Sequence, residues 1–310
     1  SGAPVWQVSL IPDFDRGAGI SGGALAVSGG VVYATTNYGE IIALDATNGA
    51  IRWRQRVGAA LGAPTVSNGV LYVMGLDSQA WALTAETGQI RWTIPAGDVP
   101  SVLTGGAAPA ITDRYVLLPF ATGEIQAVFP GAGVRVWSSF VAGGRLGTAY
   151  AAINDITSDP VVVGNTIYAG NQSGRVVALD ARSGEMRWQA MDGAYSPVVA
   201  AGDSLFYVSD RNELLRLDAS DGSRIWGIEL PFYVRERERR RKAVFAHYGP
   251  ILAGGRLWVA SSDDRIRSFS PESGAELGAL EIRGGAASHP IVVGDTLLVV
   301  SRDGRLHAYR

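Results

Sequence analysis

A unit of about 45 residues returns along the whole chain, and this restricts the fold more than any other property of the sequence. Each unit reads as an apolar strand, a Gly-Gly or Gly-Asn turn, a second strand such as TIYAG, a turn, a third strand such as RVVALD, a turn ending in Gly, and a fourth strand that carries Trp. The third and fourth strands align as EIIALDATNGAIRW (to Trp53), QAWALTAETGQIRW (to Trp92), EIQAVFPGAGVRVW (to Trp137), RVVALDARSGEMRW (to Trp188) and ELLRLDASDGSRIW (to Trp226). A sixth copy, RIRSFSPESGAELG, puts Gly278 in the Trp place, and the last, SHPIVVGDTLLVVSRDGRLHAYR, runs to Arg310. The chain opens on SGAPVW, the phrase that closes a unit elsewhere as SGEMRW. Ser1 therefore aligns with Ser183, and Arg310 with Asp180.

Four short alternating strands per unit, repeated seven times, are the signature of an all-β propeller, whose radial repetition leaves only short, protected edges. The expectation is a single domain over residues 1–310, built of seven four-stranded antiparallel blades, with the strand at residues 3–10 completing the last blade and closing the ring. Hydrophobic residues make up 47% of the chain, enough to fill a large core, and its 40 glycines supply the turns such a fold needs. Trp6, Trp53, Trp92, Trp137, Trp188 and Trp226 are expected to pack between neighbouring blades, each burying about 150–250 Å².

Several kinds of chemistry are disfavoured. There is no cysteine, which excludes disulfides, thiolate metal sites and a cysteine nucleophile. No apolar run reaches the ~18 residues of a membrane-spanning helix. A net charge of −2 gives no electrostatic case for nucleic acid. The stretch GAGISG (Gly17–Gly22) has phosphate-loop spacing, but a strand follows it where a helix N-terminus is required, so it reads as an inter-blade loop. Asp and Gly in DATNG, DARSG and DASDG are what tight turns demand, without the spaced ligands of a calcium loop. His247, His289 and His307 are scattered, with no carboxylate at metal-ligand spacing. His247 and His289 precede equivalent first strands and are expected at a rim or channel mouth. No GxSxG elbow marks a nucleophile.

One segment departs from the average charge. RERERRRK (Arg235–Lys242) has a local net charge of +4, leaving −6 for the rest of the chain. It lies in an insertion between the fifth and sixth units. One reading is a solvated loop whose Arg and Glu offset each other. The other is a docking surface for an acidic partner or anionic lipid, formed by Arg235, Arg237, Arg239, Arg240, Arg241 and Lys242 with Phe232, Tyr233 and Phe245 as apolar anchors.

Units of this form resemble the pyrroloquinoline quinone-like propellers. Within that superfamily, GGAAPAITDRYVLLPFATGEIQAVFPGAGVRVW, NDITSDPVVVGNTIYAGNQSGRVVALDARSGEMRW and RRKAVFAHYGPILAGGRLWVASSD resemble the BamB family of the outer-membrane β-barrel assembly machinery, the last in an alphaproteobacterial form. The resemblance implies a periplasmic scaffold at the outer membrane that grips the POTRA modules of BamA through two rim loops and assists insertion of barrel proteins. In DVPSVLTGGAAP, Val102 and Leu103 correspond to the family's apolar pair, and Thr104 stands at its arginine position. In AINDITSDP, Asp155 matches the first of two aspartates and Thr157 stands at the second. The family's propellers have eight blades, so the alternative to a seven-bladed ring is an eight-bladed one whose first blade is truncated. The family's lipid anchor would lie upstream of Ser1.

The resemblance therefore implies a non-catalytic scaffold with no cofactor, bound to BamA and also to unfolded outer-membrane proteins through added strands. The competing expectations are an uncharacterised propeller interaction protein and a dehydrogenase relative that holds pyrroloquinoline quinone and calcium. Many alcohol-oxidising members of the latter class carry an adjacent-cysteine disulfide that this chain cannot form.

Overall fold

The computed structural model describes residues 2–12, 23–95, 106–141, 143, 155–172, 174–235, 237, 239 and 241–310. These residues form seven antiparallel sheets in chain order, an all-β seven-bladed propeller: blade 1 over 23–56, blade 2 over 65–95, blade 3 over 110–140, blade 4 over 161–190, blade 5 over 199–229, blade 6 over 247–281 and blade 7 over 291–309. Blades 1 to 6 have four strands, each paired with the next in sequence. Blade 7 has three, Ile291–Val293, Thr296–Val300 and Leu306–Tyr309.

Burial explains the sequence pattern. Middle strands such as Val70–Met74 and Arg175–Asp180 read as near-continuous apolar runs because neighbouring blades cover both of their faces. Fourth strands such as Ile51–Arg56 alternate exposed and half-buried residues, because only one face is covered. In blades 1 to 4 the fourth-strand Trp pairs with an alanine of the third strand: Ala43 with Trp53, Ala82 with Trp92, Ala127 with Trp137 and Ala178 with Trp188. The register shifts immediately after each of these alanines, a bulge that adds local twist.

The core is a series of apolar slabs, one between each pair of successive blades. Ile41 and Ala43 of blade 1 meet Leu71, Val73 and Leu83 of blade 2, and equivalent slabs follow as far as blade 7. Each fourth-strand Trp reaches across such a joint. Trp53 Nε1 donates to the Ala85 carbonyl of the next blade at 3.0 Å, and Trp92, Trp137, Trp188 and Trp226 make the equivalent bond to Pro130, Ala181, Ala219 and Glu272. The indole ring lies flat on the glycine that ends the same turn. A Cβ on Gly88 would sit 2.6 Å from Trp53 Cε3, and the residue has φ +74°, so both space and backbone demand glycine. In most blades a second-strand aromatic flanks the indole, as Tyr72 does Trp92 at 5.9 Å between centroids.

The N-terminal segment takes the same role against blade 1. Trp6 Nε1 donates to the Ala46 carbonyl at 3.0 Å and covers Gly49, while Val8 and Leu10 pack on Ala34, Ile42 and Leu44. It occupies the place a fourth strand takes at every other joint, as the opening phrase implies. Residues 2–12 make no strand ladder, so Leu306–Tyr309 is the outermost paired strand of blade 7. At the ends of the series Leu25 and Val27 of blade 1, and Ile291, Val293 and Leu306 of blade 7, are exposed. Gly278 leaves the joint from blade 6 to blade 7 without a fourth-strand indole, and Trp258 of the second strand packs on that slab instead. There the Tyr309 hydroxyl donates to the Glu281 carbonyl at 2.8 Å.

The Trp–Gly contact makes a direct prediction. Trp53→Ala should cost about 3–5 kcal/mol in chemical denaturation, and Gly88→Ala about 1–3 kcal/mol from its positive φ alone. Because both act on one contact, the double variant should lose clearly less than the sum. Additive losses would show that the ring and the glycine act independently.

Candidate functional site

Antiparallel order decides which loops share a rim. In every blade the turn between second and third strands lies at the same end as the link from the fourth strand to the next blade. The other two turns lie at the opposite end. The link between blades 2 and 3 (96–109), that between blades 3 and 4 (141–160) and the insertion between blades 5 and 6 (230–246) therefore emerge from one rim.

The candidate apolar pair Val102 and Leu103, with Thr104, lies outside the described residues, as does 144–154. The ends of both links are described, and they meet. The Ala108 amide donates to Asp159 Oδ1 at 2.7 Å, tying the first link to the second. Burial raises the Asp159 carboxyl above the usual range, with the Ala108 N–H opposing that rise. Asp155 is only 4% exposed. It lines a cavity of about 20 Å³, room for roughly one water, together with Gly75, Leu76, Gly106, Ala107, Pro119 and Ala121. The Asp155 side chain thus sits beneath the rim, between blades 2 and 3 and their links. Ile156 bridges to Asn171, and Thr157 Oγ1 donates to the Ala194 carbonyl at 2.8 Å. Thr157 fastens the second link to the next one and does not project.

The insertion is a short two-stranded ribbon. Val234 N donates to Ala243 O at 3.0 Å, Phe245 N donates to Phe232 O at 2.9 Å, and Tyr233 bridges to Val244. Its base is held by Asn212, whose Nδ2 donates to the Pro231 and Phe245 carbonyls, and by His247. His247 Nε2 lies 2.8 Å from Pro231 O and Nδ1 2.7 Å from Ser261 Oγ. The carbonyl can only accept, so Nε2 carries the proton and Nδ1 accepts from the serine. Burial pushes the His247 pKa down, favouring this neutral ring. Near the base, Phe232 and Tyr233 pack at 4.7 Å, and the Arg241 guanidinium lies 4.7 Å over the Tyr233 ring. Arg235, Arg237, Arg239 and Lys242 are exposed, and Arg240 lies outside the described residues.

On the opposite rim the turn aspartates are fully engaged. Asp45 Oδ1 accepts from Thr47 N at 2.9 Å and Oδ2 pairs with Arg52 at 2.6 Å, and Asp180 makes the equivalent pair with Arg187. These arginines, together with turn hydrogen bonds, hold both carboxyls well below the usual range. Asx-turn bonding is their role in the fold.

A family model described as outer membrane protein assembly factor BamB matches residues 1–228. The outer membrane protein assembly factor BamB of Salmonella typhimurium is 31% identical over 99% of this chain and 77% of its own length, and that of Escherichia coli K12 is 30% identical over the same shares. The chain belongs to the BamB family. The crystal structure of BamB from Moraxella catarrhalis superposes with a TM-score of 0.80 at 21% identity, covering 93% of this chain and 83% of that one. A europium-containing methanol dehydrogenase superposes at 0.58 with 14% identity, a likeness of fold alone.

Sequence reasoning had identified Asp155 and Thr157 but not Asp159, Asn212 or the role of His247. The Asp-Pro dipeptide just before a first strand was the available signal for Asp159. Nothing local in the sequence pairs Asn212 with a ribbon some 20 residues on.

His247 gives this BamB chain a pH dependence. Its folded pKa is depressed, so its contribution to stability is present above the unfolded value of about 6.5 and is lost as pH falls below it. The melting temperature should therefore drop more between pH 7 and pH 5 in the wild type than in His247→Gln, which can still donate to Pro231 O. Equal slopes would contradict the assignment.

Proposed function

We propose that this chain is a non-catalytic scaffold subunit of the outer-membrane protein assembly machinery, working at the periplasmic face of the outer membrane. It grips the POTRA modules of BamA with the links 96–109 and 141–160 and presents the growing barrel to them. The observation that carries this reading is the similarity to assembly factors over 99% of the chain. The tie from Ala108 to Asp159 supports it further, because it holds the ends of the two candidate links side by side on one rim.

The residues divide by role. Val102 and Leu103 supply the apolar contact, and Thr104 borders it. Asp155 and Thr157 act from below, setting the path of the second link. Burial of an aliphatic anchor in a partner's groove is the kind of contact that dominates interface energetics. Short exposed edges on the same molecule also suit the addition of strands from unfolded barrel proteins.

Calorimetric titration with the POTRA segment of a cognate BamA tests the reading. Leu103→Asp should weaken binding by ~30-fold or more, equivalent to at least about 2 kcal/mol, with an unchanged melting temperature. Arg182→Glu, in a turn on the opposite rim, should leave the Kd unchanged. Absence of binding by the folded wild-type chain would overturn the proposal.

A further inference from the structure

We infer that the ribbon between blades 5 and 6 is a membrane-docking element for anionic phospholipid. The inference goes beyond the grip on BamA and stands on different residues. Three features of the ribbon lead to it.

The first is charge carried on a rigid mount. The run Arg235–Lys242 holds +4 in a chain whose net charge is −2. Its described members, Arg235, Arg237, Arg239, Arg241 and Lys242, cap a ribbon fixed to the propeller by His247 and Asn212. Arg235, Arg237, Arg239 and Lys242 are all exposed, so their charge faces outward. A cluster of this size is the electrostatic signature of a surface that seeks anionic headgroups.

The second is the apolar material among those charges. Phe232, Val234 and Val244 are 36%, 48% and 55% exposed on the two strands of the ribbon. Exposed aliphatic and aromatic side chains between cations match an interfacial layer, where the cations meet phosphates and the apolar groups reach toward the acyl boundary.

The third is shape. Arg235, Arg239 and Lys242 rim an open depression of about 340 Å³ floored by Val234 and Ala243. Three cations around a small apolar floor suit the phosphate of a lipid headgroup. A folded acidic partner would require a broad surface of fixed complementarity, on the order of 800 Å² a side. A narrow tip fits a fluid surface that adapts to it. Because the ribbon leaves the rim that carries the candidate partner links, two blades further around, lipid contact and partner contact can coexist.

Vesicle co-sedimentation of the full chain tests this. With vesicles containing about 30% phosphatidylglycerol in phosphatidylethanolamine, the wild type should bind, and binding should fall by roughly tenfold or more between low and high salt. Phosphatidylcholine vesicles should capture little. The triple variant Arg235→Ser, Arg239→Ser, Lys242→Ser should lose the anionic-vesicle binding while keeping its melting temperature and its titration with the POTRA segment. Arg114→Ser, Arg182→Ser, Arg256→Ser removes the same charge from the opposite rim and should bind vesicles as the wild type does. Equal loss in both variants, or equal binding to neutral vesicles, would overturn the proposal. So would a ribbon variant that binds vesicles normally but loses the POTRA segment, which would reassign the ribbon to the protein partner.

Discussion

The contact on which this propeller depends is an indole ring laid on a glycine across a blade joint. Each such joint combines three constraints: a ring that needs burial, an Nε1–H that needs an acceptor, and a turn that needs a positive φ where the ring leaves no room for a Cβ. All three are met in one turn of the next blade, so successive blades are held at a fixed angle by side chains as well as by the apolar slabs between them. Trp6 extends this arrangement to the N-terminal segment, and Gly278 interrupts it at blade 6.

Consequences for function follow from the same geometry. The turns that carry the Trp–Gly contact are all on one rim and are occupied with structure: Asp45 and Asp180 bind turn amides and arginines. The opposite rim carries the links between blades, whose lengths vary from joint to joint and which are anchored in the core slabs by side chains such as Leu61, Ile156 and Leu230. A scaffold can vary its binding loops there without disturbing the ring. Both the candidate partner links and the arginine-rich ribbon arise on that rim.

Much of this was legible in the sequence because repetition amplifies weak signals. One strand such as RVVALD is ambiguous, but seven similar units, five of them with Trp and Gly in step, leave little alternative to a propeller. The packing role expected for the tryptophans appears at all six positions. What was not legible depends on residues distant in sequence. Asp159 and Ala108 are 51 residues apart, and their bond cannot be read from either loop alone. Asp155 matched the family pattern by position, yet its burial came only with the fold. The ribbon was visible as charge, whereas its mount on Asn212 and His247 was not, because each of those residues looks ordinary in its own stretch.

The central claim is that the inter-blade links of one rim form the working surface of this BamB chain. Hydrogen–deuterium exchange of residues 1–310, with and without the POTRA segment of BamA, tests it most directly. The account predicts added protection confined to 96–109 and 141–160, with the Trp-bearing turns of the opposite rim unchanged. Protection centred on those turns, or none anywhere at saturating partner, would contradict it.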